Sequence, residues 1–290
     1  MMSTVLWLSG QPVEEQRVPA SRRRRMIAAR CRVTGEPKSL VAPLVGRDGS
    51  HGLDNCTAEQ RRFRAELALF LLNPAAEVWS VLTHPVAAQQ VWSAWTAVDR
   101  FLPYPETLVI TTNFPDVLRR ALIGSADNPT AGLPGLRCDP AAPVFVHLPT
   151  GATLRVHSPA ASSLTAQPSL WGRAATGQTF HPLTLHERRI LKYLPSMTSD
   201  AERLLAALLI RLPLIDEHCR TQPISRFRDA GSQFLWGRGR SWRFRWDGPA
   251  AAYEIADVLT DPLLGLADTM AVLRPGSPPV VRHGSAELIL

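Results

Sequence analysis

Lysine is almost missing from this chain: of its 32 basic residues, all but Lys38 and Lys192 are arginine. The positive charge therefore sits on planar guanidinium forks, which grip phosphate in a bidentate way and stack on bases, rather than on compact ammonium groups. Cysteine is scarce as well. Cys31, Cys56, Cys138 and Cys219 are widely spaced, which excludes the disulfide framework of a small secreted domain and implies a reducing compartment. Apolar runs are short, and none reaches the ~18 residues of a membrane-spanning helix. The early VLWLSG has no basic residue before it and is too short for a signal-peptide core. A cytoplasmic protein with no membrane partner is the expectation.

Familiar catalytic signatures are absent too. There is no G-x-x-x-x-G-K-[ST] loop, no G-x-G-x-x-G after a strand, no G-x-S-x-G elbow and no H-E-x-x-H, and His186 in HERR lacks a second histidine in register. This removes the local marks of nucleotide, serine-hydrolase and zinc-protease chemistry. A metal-independent ribonuclease needs as little as one base, however. His147 and His157, on opposite arms of a predicted hairpin, could meet as such a pair. No internal repeat is visible in the residues.

What is present suits a globular chain of one large or two small domains: 290 residues, 45% hydrophobic and 20% charged. A net charge of +7 and a pI near 9.9 favour an anionic partner. Residues 1–58 show little helical periodicity and hold the run Arg22, Arg23, Arg24, Arg25. TAEQRRFRAELALFLLNP then reads as a capped amphipathic helix ending before Pro74, with Arg61, Arg62 and Arg64 in its first turns. A second helix is expected over 85–101, carrying Val91, Trp92, Trp95 and Val98. A buried strand is expected at 107–112, a short helix after it, and a hairpin over 143–158 around Pro149-Thr150-Gly151. LTLHERRILKYL and SDAERLLAALLIRL read as helices, the second capped at Ser199. Further helices are expected over 249–259 and 262–272, before a proline-rich tail.

Between them lies WGRGRSWRFRW, residues 236–246. As a strand it places Trp242, Phe244 and Trp246 on one side and Arg243 and Arg245 on the other. The wider stretch adds Arg226, Arg228, Arg238 and Arg240. Aromatics anchoring a strand that presents arginines outward is a fitting arrangement for phosphate, with Gly237 and Gly239 allowing close backbone approach.

The N-terminal cysteines have half of a ribbon pattern. CRVTG begins at Cys31 and CTAE at Cys56, so each knuckle keeps its first cysteine, while Thr34 and Glu59 stand where the second would be. Two thiolates with Glu59 or His51 could hold zinc only weakly compared with four thiolates.

This order of C-x-x-T-G, C-x-x-E opening an amphipathic helix, LVITTNFPDVLRRAL and APVFVHLPTGATLRVHSP resembles the large-subunit-like protein of type IV CRISPR effector complexes. The likeness runs from about Cys31 to Leu212 and rests on order and hydrophobic texture. The elements read along the chain give an α+β protein with a mixed α/β region and a hairpin (61–180) and a mostly helical C-terminal third (181–290), and the resemblance implies a degenerate ribbon-like basic module (1–60) ahead of them. The resemblance also implies a non-catalytic subunit of a ribonucleoprotein. Such a subunit would bind the guide-RNA 5′ end and help engage target DNA beside a flanking motif, next to the backbone subunits. Two other readings stay open: an endoribonuclease that matures guide RNA, and a stand-alone DNA-binding regulator using the helix pair 183–212.

Overall fold

Thr57 and Thr198 each turn loop into helix in the same way. The Thr57 hydroxyl accepts the N–H of Gln60 at 3.1 Å and the Thr198 hydroxyl that of Ala201 at 3.2 Å, satisfying donors that a helix start leaves unpaired. The cap of the second helix is thus Thr198, one residue before the expected Ser199. The computed structural model describes residues 20–73, 97–123, 132–138, 144–158, 181–215, 233–246 and 251–290. Its helices are α1 (Ala20–Thr34), α2 (Lys38–Val41), α3 (Ala58–Leu71), α4 (Pro115–Ile123), α5 (Leu185–Tyr193), α6 (Ser199–Ile215) and α7 (Ala252–Thr260). Its strands are β1 (Arg100–Pro103), β2 (Thr107–Thr111), β3 (Leu136–Cys138), β4 (Val144–His147), β5 (Ala152–His157), β6 (Gln233–Arg238), β7 (Ser241–Trp246), β8 (Thr269–Val272), β9 (Val280–His283) and β10 (Ala286–Ile289).

The strands form two five-stranded sheets, ordered β1-β2-β5-β4-β3 and β6-β7-β10-β9-β8. In each, a hairpin comes first, its second strand runs parallel to the last strand, and the last three strands form an antiparallel meander. Each sheet follows a threonine-capped helix, and each hairpin is followed by a short helix. Among the described residues one plan is therefore laid down twice: α3-β1-β2-α4-β3-β4-β5, then α6-β6-β7-α7-β8-β9-β10. The repeat that the residues do not display is plain in the fold.

The correspondence reaches individual atoms. Thr57 N–H donates to Pro105 O in the first hairpin turn, and Thr198 N–H to Gly239 O in the second. Leu118 and Leu122 are buried on α4, as are Ile255 and Leu259 on α7. After those helices, Leu133 N–H returns to Leu122 O at 2.8 Å and Leu266 N–H to Leu259 O at 2.9 Å. Gly135 (φ 79°) and Asp268 (φ 55°) then take the same left-handed step into β3 and β8. His147 ends β4 opposite Leu136 and Ala152, and His283 ends β9 opposite Thr269 and Ala286.

The two halves share one core. Helix α3 packs along α6, and α6 also touches β1 of the first sheet while α3 touches β6 of the second. Phe63, Leu67 and Phe70 on α3 and Leu204, Leu208 and Leu212 on α6 are fully or almost fully buried, in a cluster running from Ala29 to Leu288. It has members on either side of residues 60 and 180. Glu187, in the capping box of α5, makes a bidentate pair with Arg137 of β3 at 2.7 and 2.8 Å, tying that helix to the first sheet.

The class is α+β, as expected, and several elements fall where the sequence placed them: α3, β2, α4, the β4–β5 hairpin, α5 and α6. Three expectations are corrected. A helix, α1, occupies the place given to a ribbon-like module, with Met26, Ala29, Arg30 and Val33 on its buried side. The C-terminal third is not mostly helical. Asp261 turns the chain by accepting the N–H groups of Leu263 and Leu264, and β8, β9 and β10 follow where a helix and a tail were expected. Finally, the chain at 100–101 belongs to strand β1 rather than to the end of a helix; residues 85–96 of that expected helix lie outside the described residues.

Candidate nucleic-acid interface

Strand β7 alternates as its sequence demands. Trp242 and Phe244 are 0% and 2% exposed, while Arg243 and Arg245 face outward. The indole lies against Gly237 of β6: a Cβ on that glycine would sit 2.7 Å from Trp242 Cα and 2.4 Å from Ser241 O. Gly237 thus makes room for a core tryptophan rather than for a phosphate. Trp242 Nε1 donates to Gly239 O at 3.2 Å. Gly239, at φ 61°, forms the turn, its N–H donating to Ser196 O and its carbonyl accepting Thr198 N–H. The hairpin is therefore anchored by its aromatic side and clamped at its tip by the start of α6. Arg238 and Arg240, on either side of Gly239, are exposed.

Register extends this surface across the sheet, because residues directly opposite on neighbouring strands share a face. One outward row reads Trp236, Arg243, Ile289, Val280, Val272, and the next reads Arg238, Ser241, Glu287, Arg282, Met270. The exposed Arg282 joins the arginines of the hairpin, a residue the sequence reading passed over. Its signal was present: Val281, His283, Ala286 and Leu288 alternate inward, which turns Arg282 out. Glu287 is the single acid in these two rows. It accepts Ser241 Oγ at 3.0 Å and lies 3.9 Å from Arg282 Nη2. Beside the far end of the hairpin a cleft of about 280 Å³ is bordered by Trp236, Arg243, Ile289 and Leu290.

The other predicted phosphate ligands are scattered. Arg24 and Arg25 are exposed on α1, but α1 packs against α2 and β1. Arg22 reaches Pro262 O, and Arg23 donates to Ala42 O and Val45 O. Arg61 is half-buried. Arg62 bridges Glu66 of its own helix (2.6 Å) and Glu202 of α6 (2.9 Å), so it couples the two central helices. Arg64 is 1% exposed and donates to Leu53 O and Tyr104 O. It is a packing residue, not a surface ligand. Arg226 and Arg228 lie outside the described residues.

Buried arginine is a structural theme of the interior. Arg30 holds His51 O and Pro103 O, and Arg211 makes a bidentate pair with Asp54 (2.8 and 2.6 Å) while donating to Leu264 O. Each guanidinium satisfies carbonyls that loops would otherwise leave unpaired, which is the condition for burying such a group.

The cysteine positions do not form a ribbon site. Cys31 sits on a helix, where burial, and then the neighbouring Glu36, raise its thiol above the usual range. His51, the suggested third ligand, has both ring nitrogens engaged: Nδ1 accepts Leu53 N–H and Nε2–H donates to Gly265 O, and burial favours this neutral form. Glu59 is exposed in the first turn of α3. Among the described residues no three histidine, cysteine or acidic side chains converge as a metal site.

The two hairpin histidines do not meet. His147 pairs with Ala152 at the turn, while His157, at the far end of β5, lies opposite Thr111. His147 is fully buried, with Nε2–H directed to Pro134 O, Nδ1 accepting the Thr150 hydroxyl, and its ring 5.1 Å from that of Phe63. Burial pulls its pKa down to about 4, as befits a neutral structural imidazole.

Comparison with known protein families, with curated proteins and with solved structures gives no match for this chain.

Proposed function

We propose that the protein is a non-catalytic nucleic-acid-binding subunit that meets its ligand with the outer face of the second sheet. The observation that carries this reading is the β6–β7 hairpin: Arg238, Arg240, Arg243 and Arg245 are exposed on it, and residues 233–246 contain no acidic side chain. Arg243 and Arg245 project from one strand ~6.7 Å apart, twice the strand rise, so both face one side and can meet phosphates of the same backbone. The aromatics behind them fix the strand in the core, so little backbone freedom remains to be lost on binding.

The resemblance to large-subunit-like proteins of type IV CRISPR effectors supports a finer reading. In it, the face holds guide RNA near its 5′ end, and the subunit helps engage target DNA beside the backbone subunits. That part of the likeness now rests on the order of α3, β2, α4 and the β4–β5 hairpin, since α1 stands where the ribbon would be.

The test is to express the tagged chain with its genomic neighbours and a candidate guide RNA, and to weigh the purified particle with and without RNase. A particle with one defined RNA and several copies of another protein is expected. Replacing Arg243 and Arg245 together by glutamate should strip the RNA from it. An RNA-free monomer would remove the effector-subunit reading, and RNA retained by the double variant would remove this face as the site.

A further inference from the structure

We infer that the ligand of this face is single-stranded, with one base stacked on Trp236 and the adjoining phosphates held by Arg238 and Arg243. The inference rests on the reading of the second sheet as a nucleic-acid surface and narrows it to one class of ligand.

Trp236 lies on the edge strand β6, directly across from Arg243 and two residues from Arg238, all on the outer face. It is partly exposed, as are Ile289, Val280 and Val272 in the same row. At the corresponding positions of the first sheet Leu102, Val109 and Val144 are 0%, 1% and 2% exposed, and of that row only Arg155, which answers to Ile289, is partly exposed among the described residues. The second sheet thus shows a strip headed by an indole and apolar beyond Arg243, flanked by the parallel row that contains Arg238 and Arg282. Five strands at ~4.8 Å make such a strip ~19 Å wide, comparable with four-stranded sheets that stack two or three bases.

A duplex keeps its bases stacked inside and offers a sheet phosphates and groove edges, but no free base plane for the indole. A single strand can lay an unstacked base on the indole, with its backbone along the arginines. Charge complementarity selects the occupant: of the two outward rows, only Glu287 is acidic, and Ser241 engages it.

The experiment measures binding of the full chain to a labelled uridine-rich single-stranded RNA, the matching single-stranded DNA and a duplex, as a function of salt. Wild type is compared with Trp236→Leu, Trp236→Phe and the double variant Arg243→Glu/Arg245→Glu. The expected result is preference for single strands, about tenfold weaker single-strand binding in Trp236→Leu, and near-complete rescue in Trp236→Phe. The salt dependence should stay as in wild type for Trp236→Leu and become shallower for the double arginine variant. Equal or tighter wild-type binding to duplex overturns the single-strand assignment without needing any variant. Duplex and single-strand binding that both ignore Trp236→Leu but fall in the arginine variant overturn the stacking and leave the arginine surface standing. No binding by wild type to any of the three removes both readings.

Discussion

The two halves of the molecule follow one plan, yet they treat the outer faces of their hairpins in opposite ways. In the first half Leu102 and Val109 are buried, and the hairpin turn carries Tyr104, Pro105 and Glu106. In the second half the corresponding residues are Trp236, Arg243, Arg238, Gly239 and Arg240, all at least partly exposed. The inner faces match: Phe101 and Leu235, Ile110 and Phe244, Leu154 and Leu288 are all buried. Packing against the shared pair α3 and α6 constrains the inside of both copies, while the outside is left free to differ. That freedom is where function is to be sought.

The sharpest way to break this picture is along β7 itself. Trp242→Ala should destabilise the protein by ~3–5 kcal/mol, the range for a buried large-to-small change. Arg243→Ala, one residue on, should stay within ~0.5 kcal/mol as a surface change. Denaturant unfolding of the two variants reads the difference, and similar losses would mean that the alternation is wrong.

A second comparison uses the central helices, where Arg211 of α6 lies the same distance from its cap as Phe70 of α3. Arg211→Ala should cost ~3 kcal/mol, the lower end for breaking a buried pair, because Asp54 keeps a quarter of its side chain in solvent. Urea unfolding of the variant measures this loss.

Acid offers a third. His147 has a folded pKa near 4, below its ordinary 6.5, so folding favours the neutral ring. Its contribution is complete above pH 6.5 and is lost progressively as pH falls toward 4, by roughly 3 kcal/mol. Burial raises the Glu66 carboxyl above its ordinary value, which works in the opposite sense at the lower end of that window. Stability followed across pH 7 to 4 should therefore fall in wild type and fall less in His147→Gln.

The smallest expected effects come from the matched left-handed positions. Gly135→Ala should cost ~1–3 kcal/mol, since φ is positive and a Cβ would lie 2.7 Å from Pro149. Asp268→Gly should change stability by less than ~1 kcal/mol, because aspartate already tolerates this conformation. Thermal midpoints of the pair separate the two outcomes.

Much of this was legible in the sequence, and the failures have physical reasons. The Thr57 cap, the strict alternation of β7, the turn at Pro149-Thr150-Gly151 and the leucine stripe of α6 are local signals, and each gave the correct element. The repeat was not legible because the matched positions keep burial and backbone conformation but identity only at scattered points: Thr57 answers to Thr198 and His147 to His283, yet Leu108 answers to Trp242, Phe70 to Arg211 and Gly135 to Asp268. Helix α1 was hidden by its arginine run, which fills the first turn before the short periodic set Met26, Ala29 and Val33 begins. Strands β9 and β10 were masked by the prolines before them, although their inward alternation was there to read. At the candidate site the outward arginines of β7 were correctly placed as a strand face. Arg62 and Arg64 were misjudged, because charge along a helix does not reveal which side faces a second helix.

The most direct test of the central claim is a map of ultraviolet crosslinks between the full chain and a bound uridine-rich single strand, read by peptide mass spectrometry. The account expects crosslinked peptides from 233–246 and 280–290, on the outer face of the second sheet, and none from the equivalent 100–111 and 144–157. Crosslinks concentrated on α1, or shared equally between the two sheets, would contradict it.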